Sequence, residues 1–136
     1  MLVKGSPSSA ITRLRGLLRP GAQGESMACR LLEKQGYRIL ARNFRCRGGE
    51  IDVIAQDGEV VVFIEVKERC DASHGAACEA VTREKRRRII HAARFFAARQ
   101  GLSEGWIRFD VVSIDWDSQG AAHTRHDRGA FDSRGK

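Results

Sequence analysis

Residues 49–67 read GEIDVIAQDGEVVVFIEVK, and this stretch decides the fold. Two strand-like runs flank Asp57 and Gly58, a dipeptide that tolerates the positive φ values of a two-residue type I′ turn. The stretch therefore predicts a β-hairpin. With Asp57 and Gly58 as the loop, the predicted register places Glu50 directly opposite Glu65.

The two faces of this predicted hairpin differ in chemistry. Side chains alternate between faces along a strand, so one face carries Glu50, Asp52, Glu65 and Lys67, with Asp52 opposite Phe63. All other inward positions are apolar: Ile51, Val53, Ala55, Val60, Val62, Ile64 and Val66 on one face, and Ile54, Val61 and Phe63 on the charged face. Apolar residues on both faces predict a central pair of strands covered on both sides.

Three carboxylates at the end of a covered sheet need compensation. They repel one another and lose solvation, which costs several kcal/mol per ion. A small divalent cation such as Mg²⁺ prefers oxygen ligands and keeps waters, which leaves room for a phosphate oxygen. A neighbouring lysine can then orient a water and hold the phosphate. The alternative is a solvent-exposed strand end, where Glu65 and Lys67 form a weak ion pair without function.

Composition bounds the class of protein. The chain has 136 residues, enough for one domain, and a net charge of +7 that comes mainly from 19 Arg against 5 Lys. Because the arginine fork suits phosphate, a nucleic-acid partner is expected. A merely biased surface and a membrane-surface role are the alternatives. No apolar run spans a membrane and no secretion signal is recognisable, so we expect a cytoplasmic protein with reduced cysteines.

The rest of the chain predicts one small α/β domain between two tails. Residues 1–20 form a basic arm expected to be mobile, and a first helix follows, with Glu25 at the N-terminal end of its buried stripe and Gly36 after its end. A strand at 37–44, the hairpin, a helix at about 78–99 ended by Gly101 and a strand at 106–116 complete the domain. Residues 117–136 are expected to be loosely ordered. The predicted order is α-β-β-β-α-β, a small mixed sheet flanked by helices.

Several basic residues are candidates for nucleic-acid contacts. Five of the six residues at 83–88 are basic; a solvated helix face is the usual meaning of such a run, but beside an acidic site it could hold a phosphate backbone. The candidates are Arg42, Arg45 and Arg47 before the hairpin and Arg83, Lys85, Arg86 and Arg87 on the second helix. Aromatic residues are sparse, which favours backbone and shape readout over base stacking.

Two groups of softer ligands carry less weight. Cys70, His74 and Cys78 are spaced by four, without a fourth ligand and without the tighter cysteine spacing of most zinc sites. His123 and His126 lie in the polar tail, where we expect solvated histidines.

The run GAQGESMACRLLEKQGYRILARNFRCRGGEIDVIAQDGEVVVFIEVKERC resembles the YraN family of small bacterial proteins. That family looks like a branch of the restriction-endonuclease-like superfamily and is similar to archaeal-type Holliday-junction resolvases. The likeness continues weakly through HGAACEAVTREKRRRI and RFDVVSI, so it covers about residues 21–115. The combination of GxxGE, the strand around Asn43, Gly-Glu-Ile-Asp and Phe-x-Glu-Val-Lys carries the resemblance.

The resemblance implies roles for individual residues. Asp52 and Glu65 would be metal ligands, the Val66 carbonyl would add a third, and Lys67 would be the catalytic lysine. Glu25 matches the additional acidic residue at the rim of such sites, whereas Glu50 is assigned to the surroundings. One departure is Ile51, which stands where the superfamily often has proline before its first acidic ligand.

Together these observations predict a nuclease-like domain at 21–116 that hydrolyses phosphodiester bonds in DNA, branched DNA included, with Mg²⁺ or Mn²⁺. The rival hypothesis is a nucleic-acid-binding protein that keeps the fold without catalysis. A homodimer would match a two-fold symmetric substrate.

Overall fold

The computed structural model describes residues 22–69 and 81–136, which form a single five-stranded sheet with two helices. The elements are helix α1 (Ala22–Lys34), strands β1 (Arg38–Cys46), β2 (Gly49–Asp57) and β3 (Val60–Arg69), helix α2 (Arg83–Gln100), a 3₁₀ turn (Glu104–Trp106), and strands β4 (Ile107–Trp116) and β5 (Ala122–Phe131). Neighbouring strands follow chain order and are antiparallel, except for the parallel pair β3 and β4. A parallel pair requires a crossover, which α2 supplies. The predicted α/β fold with a mixed sheet and flanking helices is confirmed.

The sheet is covered on both faces, as the apolar pattern of the hairpin predicts. On one face, Phe63 packs with Phe96 of α2, their ring centroids 5.8 Å apart. On the other face, Leu32 of α1 packs with Ile64 and Val62 in a second cluster. Apolar residues of α2 and just before it are buried against the sheet: Val81, Ile89, Ala92, Ala93 and Phe96. The two clusters make β2 and β3 the centre of the molecule.

The ends of α2 are fixed by local hydrogen bonds. The Thr82 hydroxyl accepts from the Lys85 backbone N–H at 3.1 Å, which satisfies a donor of the first turn. Gly101 ends the helix with a φ of 71°, as the sequence predicts. The described helix begins at Arg83. The predicted helix start near residue 78 and the predicted arm at 1–20 lie outside the described residues.

The predicted register of the hairpin is wrong by two residues. Asp57 pairs with Val60, so the loop is Gly58 and Glu59, and Ile54 rather than Asp52 lies opposite Phe63. Gly58 alone has a positive φ, 64°, the pattern of a type II′ turn, which needs glycine only at its first loop position. A shift of two does not by itself change the alternation of faces, so Asp52 and Glu65 remain on one face.

Strand β2 changes its facing at Asp52. Val53 packs in the cluster beneath α1, whereas Ile51, two residues away, packs in the cluster beneath α2. A regular strand would keep both on one face. On the neighbouring strand, Asn43 has a φ of 54°, the one positive φ among the described non-glycine residues. The irregularity lies where the charged residues begin.

The chain continues as a strand where a loosely ordered tail was expected, and that expectation is corrected. Strand β5 pairs antiparallel with β4 through a turn in which Asp117 accepts from the backbone N–H groups of Gln119 and Ala121, both at 2.9 Å. The sheet therefore extends past the predicted boundary at 116. Because β5 is an edge strand with mainly polar residues, it lacks the apolar alternation that identifies covered strands.

Candidate functional site

Asp52 and Glu65 meet where strands β2 and β3 separate. The last paired residues of this ladder are Val53 and Ile64. One position further, the Asp52 carboxylate occupies the gap, where its Oδ2 accepts from the Val66 backbone N–H at 2.8 Å. Glu65 is 6 % exposed. The predicted pairing of these two acidic residues in space is therefore present in the structure.

The surroundings of the Asp52 carboxylate disfavour its negative charge. Burial raises the pKa of Asp52 to about 8; the negative charge of Glu65 adds to this rise, and the Val66 N–H opposes it. The charge of Glu25 on α1 contributes in the same direction. Glu65 and Glu25 therefore both place negative charge near Asp52, and this concentration of negative charge favours binding of a cation.

Lys85 of α2 provides one cation. Its Nζ lies 3.2 Å from Glu65 Oε2, and its side chain is 45 % exposed against 7 % for Glu65. Burial opposes the charge of Lys85, but the carboxylates of Glu65 and Asp52 outweigh it and raise its pKa. The sequence placed Lys85 on a nucleic-acid backbone, whereas the structure places it on the acidic pair. Its position at the first turn of α2 was not predictable from the basic run alone.

Lys67 follows Glu65 on the same face of β3. It lies in register with Ser113 of β4 and is partly exposed. Within residues 22–69 and 81–136, its ammonium group has no carboxylate within ion-pair distance. Its side chain thus lies on the same face of β3 as Glu65.

Glu25 approaches from the opposite helix. It is 8 % exposed, so it does not lie on the solvent face of α1, in agreement with its predicted position. Asn43 Nδ2 donates to Glu25 Oε1 at 3.0 Å, and Arg42 Nη2 lies 3.8 Å from the same oxygen. The left-handed Asn43 thus fixes the carboxylate at the rim.

The other predicted residues divide between surface and interior. Glu50 and Arg45 form an exposed pair at 3.5 Å, so Glu50 lies away from the buried pair. Arg42 is 8 % exposed and donates to Ser26 Oγ at 3.2 Å, which corrects its predicted role as a surface contact for nucleic acid. Arg86 is half-buried and donates to the carbonyls of Val81 and Gly135. The exposed candidates that remain are Arg45, Arg47, Arg83 and Arg87.

A second polar cluster escaped the sequence analysis. Asp110 is 0 % exposed and accepts hydrogen bonds from Arg108 at 2.9 and 3.0 Å, from His126 Nε2 at 2.7 Å and from the Gly129 N–H at 2.9 Å. Burial alone would raise the pKa of Asp110, but these donors lower it to about 2. Arg108 also donates to Tyr37 and Asp57. The His126 side chain is therefore buried against Asp110, and our expectation of a solvated histidine is wrong. In the sequence, only the spacing of Arg108 and Asp110 on one face of a predicted strand pointed to this cluster.

The acidic pair suits a hard divalent cation. Across the described residues, no three side chains of His, Cys, Asp or Glu converge as a ready-made metal site. In an extended strand the N–H and carbonyl of one residue point to the same edge, so the Val66 carbonyl faces the gap that holds Asp52. Two carboxylates and one carbonyl form an oxygen donor set that fits Mg²⁺ with waters completing it. Cys70, His74 and Cys78 lie outside the described residues.

The family match follows the same part of the chain. Residues 24–114 match the uncharacterised protein family UPF0102. The chain belongs to this family. UPF0102 is the YraN family, so the resemblance found in the sequence is confirmed. Its curated relatives include the UPF0102 proteins of Herminiimonas arsenicoxydans, 50 % identical over 70 % of this chain and 76 % of that protein, and of Symbiobacterium thermophilum, 46 % identical over 83 % and 96 %.

Among solved structures, the chain is similar to SfsA of Pyrococcus furiosus in complex with Ca²⁺. The likeness has a TM-score of 0.40 and 17 % sequence identity, and covers 87 % of this chain and 64 % of SfsA. Neither described helix is long and apolar enough to cross a membrane.

Proposed function

We propose that this UPF0102 protein is a Mg²⁺-dependent nuclease that hydrolyses phosphodiester bonds in DNA. The observation that supports the proposal is the pair Asp52 and Glu65, held together at the opening between two central strands. Burial, together with the negative charge of Glu65, raises the pKa of Asp52 to about 8. A divalent cation would offset this unfavourable arrangement.

Each residue of the site has a role in the proposed reaction. Asp52, Glu65 and the Val66 carbonyl would hold the ion, which supplies charge stabilisation and activates water when it is bound. Lys67, on the same face, would hold the scissile phosphate and orient the attacking water. Glu25 would position solvent at the rim, because Asn43 fixes its carboxylate there. Branched DNA, a homodimer and a cytoplasmic location belong to the same proposal.

One observation favours the rival function, a nucleic-acid-binding protein without catalysis. Lys85 compensates part of the negative charge at Glu65. A protein that only binds nucleic acid could retain this arrangement without any turnover. The two functions differ in whether a divalent ion enters the acidic pair.

Incubation of the purified protein with defined DNA substrates distinguishes them. Linear, flapped, four-way and single-stranded DNA are each incubated with Mg²⁺, Mn²⁺ or EDTA, and products are resolved on denaturing gels. We expect metal-dependent cleavage of at least one substrate, lost in Asp52→Asn and Lys67→Ala while binding persists. Arg30→Gln, an exposed change on α1, serves as control. Binding without cleavage on every substrate would reject the nuclease.

A further inference from the structure

The carboxyl-terminal residues and helix α2 enclose a basic groove. This α2 groove, with a volume of about 620 Å³, is lined by Arg83, Arg87, Ile90, His91, Arg94 and residues 133–136. Five of its lining side chains are cationic: Arg83, Arg87, Arg94, Arg134 and Lys136. Only Arg83 and Arg87 were among the candidates from the sequence, because Arg94 lies outside the basic run at 83–88 and the positions of Arg134 and Lys136 depend on how the last residues fold.

The far wall of the groove is held in place by specific contacts. Asp132 Oδ1 accepts from the backbone N–H groups of Arg134 at 2.9 Å and Lys136 at 3.1 Å. Arg86 Nη1 donates to the Gly135 carbonyl at 2.8 Å, and Arg94 Nη2 lies 3.4 Å from the Ser133 carbonyl. The cationic side chains of the wall therefore project from an ordered turn packed on α2.

The charges of the groove are arranged in a line. Arg83, Arg87 and Arg94 recur at helical spacing on one side of α2, and at 1.5 Å per residue they extend over roughly 16 Å. Arg87 pairs with Glu84 and Arg134 with Asp132, but all four side chains are exposed, and such pairs are weak. A line of separated guanidinium groups matches an extended polyanion better than a compact anion, which needs converging donors.

The groove and the acidic site share helix α2. The groove starts at the first turn of α2, the turn that supplies Lys85 to Glu65. At its middle, His91 Nε2 lies 2.9 Å from the Arg47 carbonyl, so a residue that lines the groove also contacts the turn between β1 and β2. We propose that the α2 groove binds the phosphate backbone of the nucleic acid whose cleavage is proposed above; this inference rests on that proposed function.

Salt-dependent binding tests the groove separately from cleavage. Fluorescence anisotropy of a labelled DNA duplex is measured in EDTA over a series of salt concentrations. The double variant Arg94→Gln with Arg134→Gln removes two phosphate contacts, so we expect the slope of log K against log salt to fall by roughly two in magnitude, at about 0.9 per contact. The matched control, Arg30→Gln with Arg125→Gln, changes two exposed arginines outside the groove and should keep the wild-type slope.

A second variant separates charge from packing. Arg94→Lys with Arg134→Lys keeps both charges but alters the contact with Ser133, and it should retain most of the wild-type slope. The proposal for the groove is rejected if Arg94→Gln with Arg134→Gln shows the same salt dependence as the control Arg30→Gln with Arg125→Gln. This holds even if the wild type cleaves DNA. The converse result is a glutamine variant that binds DNA more weakly while the wild type cleaves no substrate. That result would support DNA binding by the groove and reject the nuclease activity.

Discussion

Lys85 Nζ lies 3.2 Å from Glu65 Oε2, although the two residues belong to a helix and a strand that the sequence analysis treated separately. This contact places an ammonium group where the proposed divalent ion would bind. Lys85 and the proposed metal ion therefore both involve the Glu65 carboxylate. If the ion binds there, it would compete with Lys85 for Glu65.

Removal of Lys85 is expected to strengthen metal binding. In Lys85→Met, Glu65 no longer has a competing cation, so the Mn²⁺ concentration at half-maximal thermal stabilisation should fall about two- to fivefold, the equivalent of a partly exposed ion pair. Arg88→Met, an exposed change of equal charge on the same helix, controls for the lost positive potential. Equal Mn²⁺ midpoints in both variants would show that Lys85 does not compete.

Asp52 should make the stability of the metal-free protein depend on pH. Its pKa is about 8 in the folded protein against an ordinary value of 3.8, so the folded state binds the proton more tightly. The resulting stability is fully present below about pH 4 and is lost as the pH rises through about 8. We expect the urea midpoint of the wild type to fall between about pH 5 and 8, and this decline to be smaller in Asp52→Asn.

Glu59→Gln, at the exposed hairpin turn, is the matched control for that titration. It should decline with pH as the wild type does, since its carboxylate is not buried. Parallel curves for wild type and Asp52→Asn would contradict the assignment of the raised pKa.

The buried Asp110 should respond in the opposite direction. Replacement by alanine leaves Arg108 and His126 without their shared acceptor, and loss of such a buried partner costs about 3–5 kcal/mol of unfolding free energy. Because its pKa is held at about 2 against an ordinary 3.8, this contribution is present above about pH 4 and lost as the pH falls through 2. Denaturant unfolding compares Asp110→Ala with the control Asp127→Ala, which removes only the partner of Arg125 on β5. Equal losses of unfolding free energy in the two variants would argue against a stabilising role of the hydrogen bonds to Asp110.

Gly49 should not tolerate a side chain. A Cβ atom there would overlap the Arg88 carbonyl oxygen of α2, where backbone cannot yield easily. Gly49→Ala is therefore expected to destabilise the protein by about 1–3 kcal/mol, the usual cost of overpacking. Gly105→Ala, which meets no atom within 4 Å, should unfold close to the wild-type midpoint. An equal stability of both variants would show that α2 can move away from β2.

The central hairpin was predictable because two kinds of information coincided there. Its apolar residues identified both covered faces, and the alternation placed Asp52 with Glu65 regardless of a register error of two. The turn itself was misplaced because Asp57-Gly58 and Gly58-Glu59 both supply glycine to a tight turn, and local sequence does not separate them.

Other parts of the site depend on contacts between distant segments. Lys85 belongs to a run of basic residues that looks uniformly solvated, and only the packing of α2 on the sheet directs this one side chain toward Glu65. His126 lies in a polar segment whose burial follows from pairing with β4. Arg42 faces α1 instead of solvent because β1 pairs in the register that places it opposite Val53. None of these placements has a periodic signal in the sequence.

The hydrogen bonds to Asp110 also bear on how the family is delimited. The family match ends at residue 114, but His126 and Gly129, which both donate to Asp110, lie beyond it. A fragment cut at that boundary would keep the buried Asp110 carboxylate and lose two of its three donor residues. Any shortened form of this chain should therefore extend at least to Phe131, because β5 belongs to the same sheet and supplies donors to a carboxylate inside the matched region.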